Sequence, residues 1–73
     1  MSKSRLLVVD DSESIRFAVR TFFEDDGHEV EDADSLKRAL ELCATRRFDA
    51  AIVDYKLPDG TALDLLAQLK EGG

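Results

Sequence analysis

The chain has 73 residues, with 16 acidic against 10 basic side chains and a formal charge of −6, which excludes a dedicated nucleic-acid binder because phosphate neutralisation needs a basic surface. Apolar residues make up 44% and charged residues 36%, with one proline and four glycines, a composition that fits one folded domain and excludes a disordered acidic tail. No apolar run approaches the roughly 20 residues of a membrane span, and Met1-Ser2-Lys3-Ser4-Arg5 leads into too few apolar residues for a signal-peptide core, so a cytoplasmic protein is expected.

Arg5-Leu6-Leu7-Val8-Val9-Asp10 is a continuous apolar run ending in acid, the pattern of a strand covered on both faces. From Ser14 onward Ile15, Ala18, Val19, Phe22 and Phe23 recur at helical spacing and draw one stripe. Ser12 or Asp11 suits the start of that helix, and Gly27 follows its end. His28 to Ala33 alternates polar and apolar residues, which predicts a strand at a sheet edge. Asp34 or Ser35 caps a second helix with the stripe Leu36, Ala39, Leu40, Cys43 and Ala44, and Arg46-Arg47 complement the dipole in its last turn.

Ala50-Ala51-Ile52-Val53-Asp54, within Phe48 to Tyr55, is a second run apolar on both faces and again ends in acid. The chain turns at Leu57-Pro58-Asp59-Gly60. Thr61 then caps a third helix, with Asp64 at the reciprocal position, Ala62, Leu65, Leu66 and Leu69 as its stripe, and Gly72-Gly73 at its end. The order βαβαβα predicts an α/β fold with a parallel sheet and right-handed crossovers.

Ligand chemistry in such sheets collects at the carboxyl ends of the strands, which here read Asp10-Asp11 and Asp54. If the two strands are neighbours, three carboxylates converge. Like charges at close range oppose ionisation, so such a cluster takes up protons or holds a hard, oxygen-loving cation such as Mg²⁺. The cation would let one carboxylate attack a phosphoryl group whose oxygens otherwise repel it. A single acid at a strand end is more often a solvated turn residue; the constellation is what argues for a site.

Leu6-Leu7-Val8-Val9-Asp10-Asp11-Ser12 followed by Ala51-Ile52-Val53-Asp54-Tyr55-Lys56-Leu57-Pro58-Asp59-Gly60 resembles the receiver domain of two-component response regulators. The resemblance implies the amino-terminal half of a flavodoxin-like fold, a three-stranded parallel sheet of order 2-1-3 spanning residues 1–73, with the fourth and fifth βα units absent. It also implies that Asp54 is the phosphoacceptor and that Mg²⁺ is bound by Asp11, Asp54 and the backbone carbonyl of Lys56, with Asp10 holding metal-bound water. The phosphodonor would be a sensor histidine kinase or a phosphotransfer protein. Thr61 and Ala62 stand where acid and glycine are common in the family. The hydroxyl residue of the fourth strand and the lysine of the fifth, which read out and contact the phosphoryl group in receivers, lie in units this sequence does not contain, so slow phosphorylation is expected.

A metal-dependent phosphatase of the haloacid dehalogenase type needs acids two apart after the first strand, and here they are adjacent. A dimerising or docking module with an idle acid pocket is the other reading. Lys56 is a cation beside the acids that would weaken Mg²⁺ binding or tune phosphoryl lifetime, or else a solvated loop lysine. His28 has no second ligand or base partner at useful spacing, and Cys43, the one cysteine, falls on an apolar stripe and reads as inert core in a reducing compartment.

Size points to assembly. Surface scaling gives roughly 7,200 Å² buried on folding, and its apolar share, taken as about 60%, is worth about 108 kcal/mol against an ordering cost of about 110 kcal/mol. A lone monomer is therefore marginal unless a partner, a metal or the rest of a larger domain helps. The order 2-1-3 leaves the doubly apolar third strand at an edge, a template for pairing, so a homo-oligomer through that edge is expected.

Overall fold

The computed structural model describes residues 4–72, so Met1 to Lys3 and Gly73 of the closing glycine pair lie outside the described residues. Strand β1 (Arg5–Val9) is central in a three-stranded parallel sheet of order β2-β1-β3, with β2 (Glu29–Ala33) and β3 (Ala50–Val53) at its edges. The register sets Val9 opposite Ala33 on one side and opposite Val53 on the other. Helix α1 (Glu13–Asp25) covers one face; α2 (Leu36–Thr45) and α3 (Ala62–Gly72) cover the other. This is the three-unit arrangement of a partial flavodoxin-like fold.

Alternation along β1 divides the core. Leu6 and Val8 join Val30 under α1, with Val19 and Phe23 packed against them. Leu7 and Val9 face the larger cluster, which contains Ala33, Leu36, Ala39, Leu42, Leu57 and Leu65. The continuous apolar run of β1 thus serves two layers at once.

Each helix starts on the cap that side-chain chemistry favours. Ser12 Oγ accepts from Ile15 N at 3.4 Å and Ser35 Oγ from Arg38 N at 3.2 Å, so neither Asp11 nor Asp34 is the cap. Thr61 and Asp64 form the predicted reciprocal pair: Thr61 N donates to Asp64 Oδ2 at 3.0 Å and Asp64 N to Thr61 Oγ1 at 3.2 Å. Gly27 takes φ 92° after α1, in the left-handed region open to glycine.

Three local expectations need correction. Arg46 does not sit in the last turn of α2 but is its C-cap, extended at φ −136° and ψ 153°. Its guanidinium reaches across to Glu31 Oε2 at 2.6 Å, because the chain is already turning towards β3. The predicted turn Leu57–Gly60 is flanked by two short antiparallel strands, β4 (Lys56–Leu57) and β5 (Gly60–Thr61), too short to show any periodicity in sequence. The stripe of α1 is only half used: no residue of this helix is buried, Phe22 is 68% exposed and Ile15 49%.

Core and stripe positions should respond differently to truncation. Leu65 is 1% exposed, and Leu65→Ala is expected to cost about 3 kcal/mol in urea unfolding. Phe22→Ala should change stability by less than about 0.5 kcal/mol in the same assay.

Candidate functional site

Both apolar runs that end in acid point the same way. Because β1 and β3 are parallel neighbours in register, Asp10 and Asp54 leave the sheet at the same end, one residue past the pair Val9 and Val53. Asp54 N donates to Val9 O at 2.8 Å and Asp10 N to Ala33 O at 3.1 Å, so the ladder extends through the backbone of both acids. Asp11 follows in the turn before α1. Carboxylate oxygens of Asp10, Asp11 and Asp54 all lie within 4.8 Å of one another, with Asp10 and Asp54 half-buried and Asp11 exposed.

The donor set is all carboxylate oxygen, which suits a hard divalent cation. Octahedral ligands at about 2.1 Å from Mg²⁺ stand about 3 Å apart when adjacent and about 4.2 Å when opposite. The observed cluster is close to that scale. Asp10 is further organised by its own turn, Oδ1 accepting from Ser12 N at 2.9 Å. Lys56, two residues beyond Asp54, is exposed in β4.

Arg16 shapes the site although sequence reasoning did not single it out. Its Nη1 donates to the Asp10 carbonyl oxygen at 2.7 Å and its Nε to Asp32 Oδ2 at 3.2 Å. Arg20, one turn later, donates to Asp32 Oδ1 at 3.3 Å. Two arginines thus share one β2 carboxylate, and the first of them fixes the strand end that carries Asp10. The available signal was an Arg pair at i, i+4 beside the apolar stripe of α1, facing an acid on a half-apolar strand.

The remaining singled-out residues fall outside the cluster. His28 accepts from Ser4 N at its Nδ1, 3.4 Å away, and its ring lies 6.0 Å from that of Phe23. Cys43 packs against the larger core cluster, and burial pushes its thiol up, away from the reactive thiolate.

A domain with its acids so placed at the end of a parallel α/β sheet belongs to the doubly wound class that binds ligands at strand carboxyl ends. Residues 6–73 match the family model described as the response regulator receiver domain, and the chain belongs to that family. It is 38% identical over 68 residues to the KDP operon transcriptional regulatory protein KdpE of Escherichia coli (strain K12), covering 93% of this chain and 30% of that protein. Among solved structures it superposes on the chemotaxis response regulator CheY4 of Vibrio cholerae with a TM-score of 0.91 at 35% identity, covering 94% of this chain and 57% of the other. The receiver domain of the Francisella response regulator 1452 gives 0.90 at 30% identity, covering 96% and 58%. The chain therefore spans under a third of KdpE and somewhat over half of those receiver structures.

The Arg16 contacts give a test. Arg16→Met leaves the Asp10 carbonyl and one Asp32 oxygen short of a partner and should cost about 2 kcal/mol by urea unfolding. Arg16→Lys should recover less than half of that, because an ammonium cannot span both acceptors as the planar fork does.

Proposed function

We propose that this chain acts as a phosphoacceptor in two-component signalling, with Asp54 the acceptor and Mg²⁺ held by Asp11, Asp54 and the Lys56 backbone carbonyl, Asp10 acting through water. The convergence of three carboxylates within 4.8 Å at the ends of β1 and β3 carries this reading. A phosphohistidine of a sensor histidine kinase or phosphotransfer protein is the donor, and the setting is the cytoplasm. An Asp54 oxygen attacks phosphorus while the P–N bond breaks; its electron pair stays with the imidazole, which takes up a proton. Bound Mg²⁺ supplies the positive charge that lets an anionic nucleophile approach an anionic phosphoryl group. Asp54 keeps the phosphoryl group as an acyl phosphate, so the domain is consumed by the transfer and is not a turnover enzyme.

Incubation with acetyl phosphate and Mg²⁺ followed by mass spectrometry tests the assignment. The wild type should gain one phosphoryl group, slowly, and Asp54→Asn none. Mg²⁺ should raise the melting temperature of the wild type and do so much less for Asp11→Asn; phosphorylation that persists in Asp54→Asn would overturn the reading.

Self-association through β3 is the second element of the proposal. Ala50, Ala51 and Ile52 are exposed although the strand is apolar on both faces. The accessible surface, 5146 Å², exceeds the roughly 4,500 Å² expected of a compact chain of this mass. Antiparallel pairing of β3 with β3 of a second copy would extend the sheet to six strands and cover that edge. Sedimentation at micromolar concentration should give a dimer or larger species that Ile52→Lys reduces to monomer; a monomeric wild type would defeat the pairing.

A further inference from the structure

The first turn of α2 is closed from outside its own helix. Ser35 satisfies Arg38 N, as an N-cap does, but the two amides before it are taken by a distant carboxylate. Leu36 N donates to Asp59 Oδ1 at 2.7 Å and Lys37 N to Asp59 Oδ2 at 2.9 Å. Asp59 stands in the turn between β4 and β5. These amides, that of Lys37 first, hold its carboxyl below the usual carboxylate range, with the Lys37 charge assisting.

A second, independent contact joins the same two elements. A Cβ on Gly60 would lie 2.6 Å from Leu36 Cδ2 and 3.1 Å from Asp64 Oδ2, so the hairpin approaches α2 as closely as a glycine permits. Leu57 on the same hairpin is buried in the core cluster that contains Leu36. At its open end the hairpin is tied shut: Lys56 pairs with Thr61, and Ala62 N donates to Tyr55 O at 2.9 Å. Lys56 to Asp64 is thus one braced unit, starting two residues after Asp54 and fastened to α2 through Asp59.

We propose that Asp59 is a positioning residue of the acid site: by holding the Lys56–Thr61 hairpin against the α2 N-terminus it sets where the Lys56 carbonyl stands relative to Asp10, Asp11 and Asp54. Cation binding at the acids is thereby linked to the first turn of α2. A helix cap alone would need only one oxygen and no particular partner loop, whereas this carboxylate uses both oxygens to bridge the helix to the segment that follows the phosphoacceptor. The inference rests on the metal reading given under the proposed function.

Tyr55 is the only tyrosine and the chain has no tryptophan, so intrinsic emission reports on a residue adjoining Asp54. In the wild type, Mg²⁺ titration should move both the tyrosine emission and the amide resonances of Leu36 and Lys37 with one shared affinity. Asp59→Ala should weaken Mg²⁺ binding by about tenfold or more, in the range seen when outer partners of a metal ligand are removed, and the two α2 amides should cease to follow Mg²⁺. Ser35→Ala removes a cap from the same helix end without touching the hairpin; it should lower the melting temperature and leave the Mg²⁺ affinity unchanged. Wild-type affinity in Asp59→Ala, or an equal loss in Ser35→Ala, overturns the clamp and leaves the metal reading standing. A wild type that ignores Mg²⁺ overturns the metal reading and the clamp with it. Should Asp59→Ala not fold, Asp59→Asn, which keeps one acceptor oxygen, carries the same comparison.

Discussion

The parallel register of β1 with β3 is the constraint on which everything else depends. Parallel strands deliver their carboxyl ends to one end of the sheet, and pairing of Val9 with Val53 delivers Asp10 and Asp54 there together. A slip of one residue would turn Leu7 and Val9 out of the larger core cluster and separate the acids in the same movement. Packing therefore enforces the carboxylate cluster: the hydrophobic free energy that seats Leu7, Val9 and Leu65 also holds like charges near one another. The carboxylate side chains, unlike the backbone amides of Asp10 and Asp54, contribute nothing favourable to that register by themselves.

The charge this creates is managed at one remove. Arg16 does not pair with the clustered carboxylates; it takes the Asp10 backbone carbonyl and Asp32 instead, with Arg20 on the other Asp32 oxygen. A direct Arg partner would occupy the oxygens a cation needs. By anchoring to β2, the guanidinium fixes the strand end and leaves the side chain of Asp10 to the carboxylate cluster. Asp59 follows the same logic on the opposite face, spending its charge on helix amides.

Much of this was legible in residues read singly or in short patterns. The two apolar runs ending in acid, the Ser and Thr caps, and the Thr61–Asp64 pair are local signals, and the structure has them in place. The hidden features are pairings at long sequence separation. Arg16 with Asp32, Arg46 with Glu31 and Asp59 with α2 each join residues whose proximity only the finished sheet determines. Leu42 escaped the stripe of α2 for a related reason: α2 packs against both the sheet and α3, so its buried face is wider than one row of i, i+3, i+4 positions and takes in Leu36, Ala39 and Leu42 together.

The stripe of α1 shows the converse, apolar residues with too little to cover them. Val19 and Phe23 pack on Leu6, Val8 and Val30, but Phe22 meets the Phe23 ring in a T-shaped contact, centroids 5.1 Å apart, and is mostly exposed. Together with Ala18 and Ile52 these residues line an apolar groove of about 390 Å³ between α1 and the open edge of β3. On the other face Leu63 and Leu66 of α3 are each 60% exposed. Uncovered apolar surface thus occurs in both helix layers as well as along β3, whereas β1 is covered on both faces. A sheet with Ala-Ala-Ile-Val as an outer strand has a sequence suited to an inner position. A strand pairing with β3 would supply a backbone edge but not the apolar cover that both faces of this edge leave open, so it would meet only half of what an inner position provides.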